Sequence, residues 1–127
     1  MIADIAENRP LTPEEYALTR WMLTHGGPES ARYLDDLERA RVVSRCGCGC
    51  ASVDFSVDGR EPARDAPLRV VADFEWRDAA GRVAAVAAFV REGRLAGLEL
   101  SCLDPDAAID HLPVPEKLRP FGNTPAT

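Results

Sequence analysis

Apolar residues in the first third of the chain recur at the spacing of an α-helix. Within residues 12–25 they return every three or four positions, and Thr12–Glu15 places a threonine cap, a proline and a glutamate where a capping box requires them. Gly26-Gly27-Pro28 is typical of a helix end followed by a new start, and a second stripe of the same period occupies residues 28–40. The pattern predicts a helical hairpin over residues 12–40.

Further along the chain the period changes to two, which is typical of half-buried β-strands. The alternation is clearest in residues 70–77, and turn-forming segments at 78–81 and 92–93 separate the strands that follow. The sequence therefore predicts an antiparallel meander of four or five strands over residues 41–102.

Together these patterns indicate an α+β fold in which the hairpin covers one face of the sheet. We interpret residues 1–127 as one domain, with the hairpin (12–40), the sheet (41–102) and a proline-rich segment (103–127) that wraps around them. The first ten residues are expected to be loosely held. The residues expected beneath the helices are Phe74, Trp76, Phe89 and Leu98.

The register of the meander predicts which side chains share a face. A two-residue turn at Glu92-Gly93 pairs Arg91 with Arg94, and a four-residue loop at 78–81 pairs Arg77 with Arg82. Both turns assign alternate residues of the strand between them to the core face, namely Val83, Ala85, Ala87 and Phe89.

The opposite sheet face is predicted to be an interaction face. It combines acidic and apolar positions: Asp73, Glu75, Val86, Ala88, Val90, Leu95 and Glu99. An apolar strip of this kind is unusual on a bare monomer. We expect the C-terminal segment, a protein partner, a second copy of the chain or a ligand to cover it.

Composition limits the classes of partner and location. The chain has 127 residues, a net charge of -6 and a pI near 4.9, which opposes binding to nucleic acid or to an anionic membrane surface. No apolar run approaches the ~20 residues of a membrane span, and the N-terminus lacks the order of a signal peptide. We therefore expect a cytoplasmic protein with reduced thiols. A basic complement that is almost entirely Arg indicates a bacterial source.

Chemically, the distinctive segment is Cys46-Gly47-Cys48-Gly49-Cys50. Our preferred interpretation is structural: Gly47-Cys48-Gly49 forms a tight three-residue turn, and the thiols are small fillers. A zinc site is the second interpretation, and it needs the sulfurs within ~4 Å of one another. The third is a redox pair of Cys46 and Cys50 across the turn.

The geometry of a strand argues against zinc. Three alternating positions on an extended chain span ~13 Å, and Cys102, the remaining cysteine, falls on the core face. The spacing also differs from the paired Cys-x-x-Cys arrangement of ordinary structural zinc sites. We therefore expect no cofactor and no stoichiometric zinc, with Cys46, Cys48 and Cys50 as the only candidate ligands.

Other candidate residues do not form a catalytic set. His25 at a helix end and His111 in a proline-flanked region are expected to be structural or solvated. Asp73 and Glu75 form a pair of carboxylates that is typical of a solvated strand face. Neither histidine lies near a nucleophile elbow, so the sequence predicts no catalytic or cofactor-binding residue and favours a protein that is not an enzyme.

One resemblance rests on the cysteine segment. Arg45–Ser52, preceded by a Leu-Thr-Pro-Glu-Glu helix start and followed by a Leu-Glu-Leu-Ser strand, resembles a group of small uncharacterised bacterial proteins. The resemblance covers most of the chain and implies no activity or ligand. The expected function is a non-enzymatic binding domain, such as a toxin antagonist, that uses the second sheet face. The alternative is a metal- or redox-responsive domain that uses the three cysteines.

Overall fold

The computed structural model describes residues 4–102 and 109–121, and these form an α+β fold with an antiparallel sheet. The predicted class is confirmed. The helices are α1 (Pro13–His25) and α2 (Leu34–Leu37), with 3-10 turns at Ser30–Tyr33 and Pro115–Lys117. The strands are β1 (Ile5–Pro10), β2 (Ala40–Arg45), β3 (Val53–Val57), β4 (Arg69–Arg77), β5 (Val83–Arg91), β6 (Arg94–Cys102) and β7 (Arg119–Pro120).

Helix α1 begins at the predicted capping box. The Glu15 backbone N–H donates to Thr12 Oγ1 at 3.1 Å, and the Thr12 N–H donates to Glu15 Oε1 at 2.8 Å. Glu15 is buried and also accepts from Arg9 Nη1 at 2.8 Å. Burial alone would raise the pKa of Glu15, but the bonds from Arg9 and Thr12 outweigh it and lower that pKa. The helix start is therefore fixed by local sequence and anchored to β1.

The predicted second helix is wrong. Residues 28–40 contain only the 3-10 turn and the four-residue α2, and β2 already begins at Ala40. Polar side chains divert the chain: Ser30 Oγ donates to the Leu23 carbonyl at 2.8 Å, and Asp36 Oδ2 accepts from the Leu95 N–H at 3.0 Å. These bonds tie the segment to α1 and β6, so it folds as a short connection rather than as half of a hairpin.

The sheet contains more strands than predicted. Within the described residues its order is β1-β2-β3-β6-β5-β4-β7, which gives seven strands instead of four or five. The expectation that residues 1–10 are loosely held is wrong for Ile5–Pro10, because this segment forms β1 and pairs with β2. Of the predicted wrapping segment, residues 103–108 and 122–127 lie outside the described residues. Arg119–Pro120 adds a short edge strand beside β4.

The predicted register is off by one residue over most of both hairpins, although the predicted pairing of Val70 with Phe89 is confirmed beyond a bulge in β4. Arg77 pairs with Val83 instead of Arg82, because Asp78 Oδ1 accepts from the backbone N–H groups of Ala80 and Arg82 and builds a five-residue loop. The second turn does pair Arg91 with Arg94 as predicted.

A bulge then shifts the second hairpin, so that Phe89 pairs with Gly97 instead of Ala96. A Cβ atom at Gly97 would lie 2.3 Å from the Val53 carbonyl oxygen and 2.7 Å from the Phe89 ring. Only glycine permits this approach.

Both shifts invert the two faces of β5. The residues that pack toward α1 are Ala84, Val86, Ala88 and Val90, whereas Val83, Ala85 and Ala87 face away. Phe74, Trp76 and Leu98 are buried in the core as predicted, and the Trp21 ring of α1 meets Phe74 edge-on with centroids 4.9 Å apart. Phe89 is also buried, but against Gly97 and beneath the Arg91 guanidinium, 5.4 Å from its ring.

Candidate thiol site

The three neighbouring cysteines lie on the loop that joins β2 to β3. Arg45 pairs with Val53 at its base, and the Cys46 N–H donates to the Ser52 carbonyl at 3.1 Å. The connection therefore comprises residues 46–52, and the predicted three-residue turn is wrong. Gly49 adopts a positive φ of 93°, which lets the backbone curl instead of continuing as a strand.

Curling brings the three thiols together. The Sγ atoms of Cys46, Cys48 and Cys50 all lie within 4.8 Å of one another. Contrary to the prediction from the sequence, these side chains therefore do not span an extended strand, because the curled backbone at Gly49 lets them converge. The expectation that the protein carries no stoichiometric zinc stays a prediction.

Backbone amides of the same loop point at the sulfurs. The Cys48 N–H donates to Cys46 Sγ, and the Cys50 N–H donates to Cys48 Sγ, each over 3.4 Å. Hydrogen bonds from peptide N–H groups stabilise negative charge on sulfur and are a recurrent means by which proteins tune thiolate ligands. The loop is thus shaped to hold thiolates as well as thiols.

Cys46 and Cys48 differ in acidity because one hydrogen bond between them shifts their pKa values in opposite directions. The hydrogen bond with Cys46, followed by those with the side chain and N–H of Cys50, lowers the pKa of Cys48. The same bond, in which Cys46 is the donor, raises the pKa of Cys46 to about 12. Of these two thiols, Cys48 is therefore the more acidic, and Cys46 holds its proton to higher pH.

Two long-range bonds anchor the loop. Ser52 Oγ accepts from the Leu100 N–H of β6 at 2.8 Å and from the Cys50 thiol at 3.3 Å. The Ala51 N–H donates to the Ile109 carbonyl at 2.7 Å, which attaches the C-terminal segment beside the cysteines. The loop is therefore held from both sides by residues that lie far away in sequence.

Cys102 does not join the cluster. It ends β6 opposite Ala84 and packs partly against the core, on the side that the sequence predicted. All four cysteines are free thiols. Among the described residues, the group of possible metal ligands with mutually close donor atoms contains only the three cysteines of the loop.

A cleft of about 480 Å³ opens next to the loop. Cys50, His111 and Asp110 line it, together with the capped start of α1. His111 Nδ1 and Asp110 Oδ1 are 3.0 Å apart, and this bond lowers the pKa of Asp110. Nothing in the local sequence indicates this position for His111, because the Ala51–Ile109 bond creates it.

The other histidine lies elsewhere. His25 stacks on Trp21 with ring centroids 4.4 Å apart, and its Nδ1 lies 2.8 Å from the Trp21 carbonyl oxygen. The ring completes the end of α1, in accordance with the structural role predicted for it.

The predicted interaction face requires correction. Its apolar members Val86, Ala88, Val90 and Leu95 are buried in the core, because the register shift turns them toward α1. Its acidic members remain on the outer face: Asp73 and Glu99 are exposed, and Glu75 is half-buried near Arg119. The two halves of the predicted face thus lie on opposite sides of the sheet.

A different apolar surface occupies the outer face, which we call the outer groove. It measures about 220 Å³, and Ala85, Ala87 and Phe89 form its floor. Exposed Leu68, Val70 and Phe121 form its apolar rim, and Asp73 and Glu99 add acidic groups.

The sequence matches no protein-family model, and searches of curated proteins and of solved structures find no match. Among the described residues, no helix is long and apolar enough to cross a membrane. The resemblance to a group of small bacterial proteins therefore stays a hypothesis, and functional inference depends on the chemistry of the site.

Proposed function

We propose that this protein binds a thiophilic metal ion, Zn²⁺ or Cu⁺, through Cys46, Cys48 and Cys50. The observation that carries the proposal is the convergence of the three Sγ atoms within 4.8 Å. A metal with bonds of ~2.3 Å to sulfur in a tetrahedral or trigonal site requires sulfurs ~3.8–4.0 Å apart. Small side-chain rotations close the remaining gap.

The same distances favour a metal over a disulfide as the resting state. A disulfide requires two sulfurs at ~2.05 Å with a defined dihedral angle, and it leaves the third thiol without a role. A metal engages all three thiols at separations close to those of the free cluster. The N–H groups of Cys48 and Cys50, which donate to sulfur, then compensate part of the negative charge of three thiolates.

Soft ligands determine the class of metal. Thiolates select Zn²⁺, Cu⁺ and iron–sulfur clusters over hard ions such as Mg²⁺ or Ca²⁺. A metal-responsive role follows from the loop's connections: an ion that rigidifies residues 46–52 acts directly on β2, β3 and the Ile109 segment bonded to Ala51.

Zinc competition tests the proposal. We expect the reduced wild-type protein to withdraw zinc from a chromophoric chelator, and Cys46→Ser or Cys50→Ser to weaken binding by at least ~100-fold, since even an outer-shell change costs ~10–100-fold. Cys102→Ser is the matched control and should leave the affinity unchanged. Equal affinity in all variants, or no withdrawal by the wild type, would contradict metal binding at the loop.

A second function, protein recognition, is favoured by the outer groove. Its apolar floor, exposed rim and two acidic side chains suit a basic partner segment that inserts an apolar side chain, consistent with the net charge of -6. Such a partner would contact Asp73 and Glu99, which belong to the predicted interaction face. Its apolar side chain would contact Ala85 and Ala87 instead of the predicted apolar residues, which are buried.

A cationic amphipathic peptide of lysine and leucine tests this second function. We expect salt-sensitive binding to the wild-type protein, loss in Ala87→Arg, and retention in the control Ala79→Arg, which changes an exposed loop residue by the same substitution. Binding unaffected by Ala87→Arg would rule the groove out. Light scattering in parallel separates this outcome from a homodimer, in which Ala87→Arg would halve the mass.

A further inference from the structure

Three thiolates leave one position of a tetrahedral zinc site open. Structural zinc sites in proteins are closed by a fourth protein ligand, most often cysteine or histidine. Neither Cys102 nor His111 is in the group of mutually close ligand atoms. Cys102 is fixed at the end of β6 and packs partly against the core, so the better candidates for a fourth ligand are residues near the loop whose side chains have room to move.

The backbone places His111 on the wall of the cleft that Cys50 also lines. The Ala51 N–H donates to the Ile109 carbonyl at 2.7 Å, which fixes the segment two residues before His111 against the residue that follows Cys50. Cys50 and His111 line the same cleft of about 480 Å³. The imidazole is 72% exposed and the Asp110 carboxylate bonded to it is 76% exposed, so the pair has room to turn toward that cleft together.

Asp110 prepares the ring for metal binding. An ionised carboxylate only accepts hydrogen bonds, so His111 Nδ1, 3.0 Å from Asp110 Oδ1, is the protonated nitrogen of the neutral ring. Nε2 then carries the free lone pair. A histidine that donates one N–H to a carboxylate and binds metal with the other nitrogen is the recurrent arrangement at protein metal sites.

The other ionisable groups of the cleft are less suited to a metal held by thiolates. Glu15 is buried in the capping box and bonded to Arg9, and the Arg9 and Arg45 cations repel a metal ion. Glu14 is a hard oxygen donor, less suited than imidazole to an ion already held by thiolates.

Resting on the proposed function, we propose that His111 Nε2 supplies the fourth ligand and closes a Cys₃His zinc site, with Asp110 orienting the ring. Cu⁺ is satisfied by three thiolates alone and does not require the imidazole. The assignment thus separates the two metals: His111 contributes to the affinity for Zn²⁺ and not to that for Cu⁺.

The test compares His111→Gln with His25→Gln, which makes the same change at the histidine remote from the loop. Each reduced full-length variant is titrated with Zn²⁺ and with Cu⁺ in competition with chelators, and Co²⁺ spectra report the coordination number. We expect His111→Gln to weaken Zn²⁺ at least ~100-fold, more than the ~10–100-fold expected for Asp110→Asn, with Cu⁺ affinity unchanged. The d–d bands of the Co²⁺ complex should also shift, because water or the Gln side chain replaces the imidazole nitrogen.

The outcomes distinguish the two levels of the proposal. Zinc binding by the wild type that is unchanged in His111→Gln overturns the assignment of His111 and leaves the thiol site intact. Absence of zinc binding in the wild type overturns both. Equal losses of Zn²⁺ and Cu⁺ affinity in His111→Gln also overturn the assignment, because they would indicate disruption of the loop rather than loss of one ligand.

Discussion

At the scale of single residues, the three loop cysteines are chemically distinct although they share one short motif. Cys48 is exposed and its pKa is lowered, whereas the pKa of Cys46 is raised to about 12. The difference arises because Cys46 donates the hydrogen bond that stabilises charge on Cys48. Of these two thiols, Cys48 therefore gives up its proton to an incoming metal more easily than Cys46.

This asymmetry predicts an order of alkylation in the metal-free protein. As the pH rises from about 6 to 9, iodoacetamide should label Cys48 before Cys46, because a lowered pKa gives thiolate at lower pH, whereas the Cys46 thiol stays protonated through this range. Mass spectrometry of peptides after short pulses measures the order, with Cys102 as internal reference. Faster labelling of Cys46 than of Cys48 would refute the assignment of charge.

At the scale of elements, the bulge in β6 determines which face of the meander is buried. Gly97→Ala introduces a Cβ atom that would lie 2.3 Å from the Val53 carbonyl oxygen, a backbone atom that cannot move alone. The control Gly59→Ala changes a residue with a positive φ of 75° and open space around it.

We expect Gly59→Ala to cost ~1–2 kcal/mol of unfolding free energy from its backbone conformation alone. Gly97→Ala should cost a further ~1–3 kcal/mol because of overpacking. Urea unfolding measures both. Equal costs would mean that the close contact at Gly97 does not constrain the register.

The sequence predicts those elements that depend on neighbours in the chain. The capping box of α1 and the turn pairing Arg91 with Arg94 are correct, because each is determined by a few adjacent residues. The face of β5 is wrong because the side chain of Asp78 lengthens one loop and contact with Val53 requires a bulge at Gly97. The alternation of apolar and polar residues along a strand indicates neither the length of a loop nor the position of a bulge.

The candidate site was only partly predictable for the same reason. The Cys-Gly-Cys-Gly-Cys segment identifies the thiols, but an extended strand was the wrong reference for their geometry. His111 reaches the site through a backbone bond between Ala51 and Ile109, which are far apart in sequence. The apolar strip that the sequence assigned to an interaction face has the composition of an ordinary core. Only the observed register shows that these residues face the core rather than a partner.

At the scale of the whole molecule, stability depends on the contact between α1 and the sheet. Phe74 is 4% exposed and meets Trp21, so Phe74→Ala should cost ~3–5 kcal/mol, a large fraction of a typical 5–15 kcal/mol. Phe121→Ala, at a position 54% exposed, is the control and should stay within ~0.5 kcal/mol. Thermal or urea unfolding that fails to separate the two variants would contradict this packing.

The central claim, that the cysteine loop holds a metal ion, is tested most directly by elemental analysis combined with thiol counting. The protein is purified under reducing conditions with zinc supplied and is then dialysed exhaustively against metal-free buffer. The account predicts about one equivalent of zinc per chain. One of the four cysteines, Cys102, should titrate in the native protein, and all four should titrate after a chelator removes the metal. A protein without retained metal, whose thiols titrate equally with and without the chelator, would contradict it.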